Sequence, residues 1–428
     1  MMKILILPAY EYPEEVASSH LARGRNAAFV KNNAQIDIVA PSPCRGLSEE
    51  DYKKYKKIRH ESFEEGRINI YRFPMYREGR NPILRAVRYS LCWFQQKRAA
   101  KKRDYDLLLI GSTPPIQGLL GSVAKKRGRP FVYMCQDIFP DSLAGTGLAK
   151  KGGLLWKVGS FIANRVYRSA DKIIVISQDF KKNLLAKGVP EEKIEVIYNW
   201  VDENAVQPVA KAENPLYEEF GLSREAFTVV YAGNLGNAQN IGIILEAAKR
   251  FNENENEKQA VQFVIFGTGG LEEEIRRRIA EEGLTNVRLL PLQPYERVSQ
   301  VYSLGDACVV SCKEGLGGSA MPSKTWTIMS CGRPVIASFD EGELKEIIEG
   351  SSAASICSAT GSEVARPCGV FTHAGNVTEF VEAVRSLMTD RERCEQMGRN
   401  ARQFILDNLT KEVGTRKYVE VIKSVIGQ

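Results

Sequence analysis

Apolar residues along this chain fall into short continuous runs, separated by longer stretches in which they recur every three or four positions. The runs at 4–9, 36–40, 68–73, 107–110, 131–134, 173–177 and 194–198 have the length of buried strands, and the stretches 115–126, 154–169 and 179–187 carry helical periodicity. A second series repeats the pattern, with strand-like runs at 227–232, 261–266, 287–290, 307–311, 334–337 and 369–372, and helical segments at 243–251, 271–282 and 324–331. Strands alternating with helices predict βαβ units and parallel sheets, hence an α/β protein. Two such series predict two Rossmann-like, doubly wound domains, 1–205 and 206–410, with the polar, proline-bearing stretch 202–215 as the junction. Segments 391–409 and 411–426 also read as helices, and 411–428 is expected to pack back on the first domain. The Lys- and Glu-rich stretch 42–65 reads as a solvated excursion and 350–368 as a small-residue loop.

Composition narrows the picture. The chain has 428 residues, 43% hydrophobic and 26% charged, which excludes a disordered chain, a collagen-like fibre and a simple coiled coil. Nine cysteines without a C-x-x-C pair suggest neither a disulfide framework nor a structural zinc site, and fit a reducing compartment. The apolar run 4–7 is too short for a signal-peptide core, and no stretch approaches the ~18 continuous apolar residues of a membrane span. A cytoplasmic protein, at most peripheral to a membrane, is expected. Charge is uneven: residues 1–205 hold 35 Lys+Arg against 22 Asp+Glu, and the remainder is acidic. The basic half anticipates an anionic partner, whether a membrane surface, a nucleic acid or a phosphorylated substrate.

Doubly wound sheets bind ligands at the carboxyl ends of their strands, so with two domains the expected site is a cleft between them, and residues just after strands carry the candidate chemistry. Three glycine-bearing turns stand out in the second series: Gly233-Asn234-Leu235-Gly236 running on to Gln239, Gly267-Thr268-Gly269, and Glu314 to Gly317-Gly318. Glycine lets backbone approach a ligand closely; the alternative for each is a tight turn without ligand. The last is followed by Pro322-Ser323-Lys324, where Ser323 reads as a helix N-cap and Lys324 as a cation in the first turn. The dipole disfavours a cation there, which suggests an anionic ligand such as a diphosphate; the alternative is a solvated lysine. The stretch does not match the G-x-x-x-x-G-K-[ST] phosphate loop, so phosphoryl transfer from ATP is not indicated. In the first series Asp137 follows a strand and could orient a hydroxyl, or simply serve a turn. His20 follows the first strand and could touch sugar or phosphate, or lie on the surface. Asp104-Tyr105-Asp106 has the spacing of a metal-binding D-x-D but precedes its strand, and reads as a solvated turn.

Taken together, the stretches Val230 to Gln239, Phe266 to Gly269, Val287 to Gln293 and Pro322 to Ala337, with Gln136 to Asp141, Asp171 to Ser177 and Ile197 to Asp202, resemble glycosyltransferase family 4 in order and spacing over nearly the whole chain. The closest likeness is to bacterial sugar transferases of surface-polysaccharide assembly, including N-acetylfucosamine-type transferases. The resemblance implies the GT-B fold and a retaining transfer from a nucleoside diphosphate sugar, uridine being favoured, to an acceptor that is lipid-linked. It implies Asp137 and His20 on the catalytic side, and a donor set of Gly233, Asn234, Gly236, Gln239, Gly267, Gly269, Gln293, Glu314, Gly317, Gly318, Ser323, Lys324 and Thr327, with no metal and no other cofactor. Two departures matter. Many family members carry two glutamates eight apart around the last glycine loop, where this chain has Ser319 and Thr327, and a Gly-Gly pair after the first strand, where the loop from Tyr12 to His20 has no glycine.

The stretch from Ile83 to Arg103 has seven basic residues (Arg85, Arg88, Lys97, Arg98, Lys101, Lys102, Arg103) and no acid, with Leu84, Val87, Leu91 and Phe94 on one helical face and Trp93 at its edge. That is the pattern of an interfacial helix contacting a membrane, and equally of a core-packed helix with a solvated basic end. No nucleic-acid recognition motif accompanies the charge, so no nucleic-acid partner is expected. Two competing functions remain at the level of sequence: a nucleotide-sugar epimerase of the same fold, and a non-catalytic basic protein that binds a membrane periphery. A dehydrogenase is disfavoured, because no complete G-x-G-x-x-G follows the first strand.

Overall fold

The computed structural model describes residues 1–14, 19–78, 81–142, 150, 152–350 and 366–427. They form two compact units, one of Met1–Tyr198 with Glu412–Gln428 and one of Asn199–Lys411.

The first unit is built on eight strands: β1 (Met2–Ile6), β2 (Ala34–Pro41), β3 (His60–Phe63), β4 (Ile68–Phe73), β5 (Leu107–Gly111), β6 (Phe131–Cys135), β7 (Lys172–Val175) and β8 (Ile194–Val196). They lie in the order β3-β4-β2-β1-β5-β6-β7-β8, parallel except for the β3–β4 pair. Ile4 of β1 pairs with Ile36 of β2 and with Leu107 of β5, so unbroken apolar runs meet at the sheet centre, as strands covered on both faces require. The helices are α1 (Ser19–Lys31), α2 (Glu49–Tyr55), α3 (Pro82–Lys102), α4 (Gly121–Lys126), α5 (Leu154–Ser169) and α6 (Gln178–Ala186).

The stretch 42–65 is more ordered than its composition suggests. Ser48 caps α2 by accepting from the Asp51 amide, and β3 is a short edge strand whose side chains stay largely exposed. An exposed edge strand needs little apolar content, so it leaves little hydrophobic signal. In α3, Arg88 is buried against Cys44 Sγ at 3.0 Å, and Arg103 lies beyond the helix end, paired with Asp37 at 2.6 Å and seated over the Tyr71 ring. Neither belongs to a free basic surface.

The second unit carries β9 (Phe227–Asn234), β10 (Val261–Thr268), β11 (Val287–Leu290), β12 (Ala307–Ser311), β13 (Val335–Phe339) and β14 (Gly369–His373), all parallel in the order β11-β10-β9-β12-β13-β14. Its helices are α7 (Leu216–Glu219), α8 (Gly242–Asn252), α9 (Glu272–Glu281), α10 (Val298–Ser303), α11 (Lys324–Ser330), α12 (Glu343–Ile348), α13 (Val377–Thr389) and α14 (Arg391–Asn408). Phe227, Phe251, Phe263, Leu245 and Phe380 anchor a core between α8, α13 and the sheet. The last helix, α15 (Lys411–Ile426), buries Tyr418 and Ile422 within the first unit. Of the segment 350–368, residues 351–365 lie outside the described residues. The GT-B class of fold, two Rossmann-like α/β units in one chain, is what these sheets define.

Candidate functional site

In the second unit the loops after β9, β12 and β13 share the carboxyl edge of neighbouring strands, and hydrogen bonds tie them together. Ser311 Oγ donates to the Gln239 carbonyl at 2.6 Å and the Lys313 amide to the Ala238 carbonyl at 2.9 Å. The Gly317 amide donates to Asp340 Oδ2 at 2.7 Å. Gly233, Asn234 and Gly267 belong to strand ends rather than turns, since Gly233 pairs with Gly267 and Asn234 with Thr268. Two residues of strand beyond each apolar run carry no side-chain signal for the sheet.

Gly233 has φ +147°, a conformation that favours glycine, and a Cβ there would stand 2.7 Å from Lys324 Nζ, so the ammonium lies directly against this backbone. Lys324 rests on the Tyr231 ring, its Nζ 4.0 Å from the centroid, while the Tyr231 hydroxyl donates to the Asn234 carbonyl. Among the described residues no carboxylate pairs with Lys324. Burial alone pushes its amine down to about 7. Ser323 does not act as an N-cap: its backbone is already helical and its side chain makes no capping bond. Thr327 is half-buried one turn along α11.

The remaining donor candidates separate. Asn234 Nδ2 donates to Gln239 Oε1 at 3.3 Å, folding Gly236 between them. Glu314 is exposed, and the positions beside Gly318 are open. Gly267 and Gly269 instead serve packing, because a Cβ at Gly269 would meet the Leu235 carbonyl at 2.5 Å and one at Gly267 the Gly233 carbonyl at 2.4 Å. Gln293 follows β11 at the sheet border, where its Oε1 accepts from Arg297 at 2.9 Å. Sequence reasoning missed Asp340, the residue directly after β13, which holds the glycine loop in place.

In the first unit β1, β5 and β6 are neighbours, so the segments that follow them share one edge. Asp137 follows β6. Its amide and that of Gln136 donate to Ser112 Oγ at 3.1 and 3.0 Å, and Thr113 Oγ1 reaches its carboxylate at 3.5 Å. Burial raises the Asp137 pKa above the usual aspartate value, and the Thr113 hydroxyl opposes that shift. Glu11, after β1, is a second carboxyl on this edge that sequence reasoning passed over. Burial raises its pKa, opposed by the Tyr12 amide and then by Arg25 and Arg72. The polar run Tyr10-Glu11-Tyr12 directly after an apolar strand was the available signal. Its neighbour Glu14 is structural, accepting from the Cys44 and Arg45 amides at 2.9 Å. His20 sits in the first turn of α1 rather than in a loop. Asp104 and Asp106 lie at the opposite, amino end of β5, where Lys3 and Arg129 pair with them.

Comparison with known proteins finds matches along both units. Residues 216–404 match the family model described as glycosyl transferases group 1, and residues 27–205 match the model of glycosyltransferase family 4. WcaI of Escherichia coli K12, named for colanic acid biosynthesis, is 26% identical over 72% of this chain and 76% of its own length. WbjE of Pseudomonas aeruginosa, named as a glycosyltransferase, is 26% identical over 65% of this chain and 69% of its own. The UDP complex of Anabaena Alr3699/HepE superposes with a TM-score of 0.70 at 16% identity, covering 99% of this chain and all of that one. The two family models make the chain a glycosyltransferase, and its two α/β units have the GT-B fold. The chain belongs to glycosyltransferase family 4.

Proposed function

We propose that this enzyme is a retaining hexosyltransferase that moves a sugar from a uridine diphosphate sugar to a lipid-linked acceptor in the assembly of a bacterial surface polysaccharide, on the cytoplasmic side of the membrane and without a metal. The observation that carries the reading is Lys324, a half-buried ammonium with no carboxylate partner among the described residues, seated on the Tyr231 ring beside the Gly233 backbone, with burial pushing its amine down to about 7. A buried cation without a partner is costly unless a ligand supplies the counter-charge, and a diphosphate does so. The polysaccharide assignment draws on WcaI, and the uridine nucleotide on the HepE complexes with UDP and with UDP-glucose.

In such a transfer the bond between the anomeric carbon and the diphosphate oxygen breaks, and the acceptor oxygen bonds to that carbon on the same face. The acceptor proton passes to the departing diphosphate. Negative charge grows on the diphosphate, and the Lys324 ammonium, already placed on the Tyr231 ring, stabilises it. In this reading Asp137 orients an acceptor hydroxyl or the donor sugar, and His20 contacts sugar or phosphate.

Calorimetry tests the donor half of this reading. Wild type should bind UDP much more tightly than UMP, and Lys324→Ala should lose about tenfold or more in UDP affinity while UMP changes little. Transfer should also persist in excess chelator. Equal affinity for the two nucleotides, or an unaffected variant, would overturn the assignment.

A further inference from the structure

Helix α3 is turned inside out relative to an ordinary core helix. The side chains it buries are Arg88, Cys92, Gln96 and Ala100, one per turn, and two of them are polar. Gln96 Nε2 donates to the Pro8 and Val39 carbonyls and its Oε1 accepts from Gln117, so this polar face is committed to the interior. The apolar face points outward: Ile83 is 72% exposed, Phe94 57%, and Leu84, Val87 and Leu91 are exposed between them. Helix α5 keeps an inner face of Gly159, Ala163, Val166 and Tyr167 but also turns apolar side chains outward, with Leu154 at 79%, Phe161 at 69%, and Leu155 and Val158 exposed. Of the 17 exposed large hydrophobic residues among those described, nine lie on these two helices. Both helices pack on α4 and the turn before it, so they cover the same side of the sheet. Scattered apolar residues need no explanation, but a concentration of this kind marks a contact surface.

Charge selects the partner. Neither helix contains an acidic residue. Lys97, Arg98, Lys101 and Lys102 extend from the apolar part of α3, with Lys97 4.6 Å above the Trp93 ring. On α5, Arg165 and Arg168 line a groove against Ser122 of α4. A second copy of this chain would bring like charges together, whereas an anionic bilayer meets apolar side chains and cations at once. We propose that the outer face of α3 and α5 docks on an anionic lipid bilayer, the apolar N-terminal halves entering the headgroup boundary and the basic C-terminal halves meeting lipid phosphates. Helices that follow parallel strands start at the carboxyl edge of the sheet, which is the edge bearing Glu11 and Asp137. Resting on the sugar-transfer reading, the docked edge is where a lipid-linked acceptor emerges from the membrane.

Flotation of the full-length protein with vesicles tests the docking without using activity. Vesicles of equal parts phosphatidylglycerol and phosphatidylcholine should carry the protein at low salt, and pure phosphatidylcholine should carry much less. Replacing Lys97, Arg98, Lys101 and Lys102 by Gln should lower the bound fraction about tenfold or more, and added salt should mimic it. The pair Leu155→Ser and Phe161→Ser, on α5 alone, should also lower binding about tenfold, because these exposed side chains serve the bilayer rather than the core. UDP binding in the second unit should be unchanged in both variants. Wild type that ignores anionic vesicles, variants that float like wild type, or a wild-type dimer that the same pair dissociates would each overturn the proposal. Failed flotation with intact UDP binding leaves the sugar-transfer reading standing, whereas absent UDP binding sinks that reading and not the docking.

Discussion

The Lys324 ammonium sits over the Tyr231 ring, and burial lowers its pKa from 10.5 in an unfolded chain to about 7. Between these values the unfolded chain binds the extra proton and the folded chain does not, so this group's contribution to stability rises with pH across that window. A diphosphate reverses the balance by favouring the charged amine. Below about pH 7 the lysine is already protonated and affinity for a nucleotide sugar should be flat. Above it, binding must take up a proton, and affinity should fall by up to about tenfold per pH unit. Titration calorimetry from about pH 6 to about pH 8.5 checks this, and Lys324→Arg, which stays charged, should abolish the slope. A flat wild-type profile would show that Lys324 does not meet the phosphates. The sequence pointed to this residue through its glycine loop, but not to the reason it matters: the partner ring and the missing carboxylate come from β9 and from packing. For the same reason Glu11 and Asp340 went unnoticed, since neither belongs to a motif and only the sheet order brings them to an edge.

Secondary structure was legible wherever burial is two-sided. The parallel strands of both sheets stand within about two residues of their apolar runs at most borders, because a strand covered on both faces must be apolar throughout. Edge strand β3 and helix α2 left no such trace. Helix α3 could be read as a helix, yet its orientation could not, because an apolar stripe normally faces inward and only the polar contacts of Gln96 and Arg88 show that this one does not. The glycine turns divide in the same way. A Cβ at Gly269 collides with backbone at Leu235, whereas one at Gly318 meets nothing. Gly269→Ala should therefore cost about 1–3 kcal/mol of stability, and Gly318→Ala no more than about 0.5 kcal/mol. Chemical denaturation of the two variants decides between packing and ligand approach as the reason for each glycine. A silent Gly269→Ala would return that glycine to the donor loop.

At the scale of the whole chain, the two ends belong to one folding unit although more than two hundred residues separate them. Strand β1 opens the first unit, and α15 closes it after the chain has completed the second. The helix buries Tyr418 at 3% exposure and Ile422 fully, and Lys423 reaches Asn32 at the end of α1 with a 3.0 Å hydrogen bond. Tyr418 also borders Arg25, a guanidinium whose pKa burial lowers and the tyrosine partly restores. Fully burying one large apolar side chain is worth about 1.5–3 kcal/mol, and a domain's net stability is about 5–15 kcal/mol. Losing several such side chains with α15 therefore removes much of the first unit's margin. Deleting residues 412–428 should strip hydrogen-exchange protection from the β1 and β2 amides and leave β9 and β10 protected, since their core is closed by α8 and α13. Ile422→Ala, which keeps the helix, should act in the same direction at about 2–5 kcal/mol. Should exchange in β1 and β2 survive both changes, α15 would be an appendage, and the first unit would be complete by Tyr198.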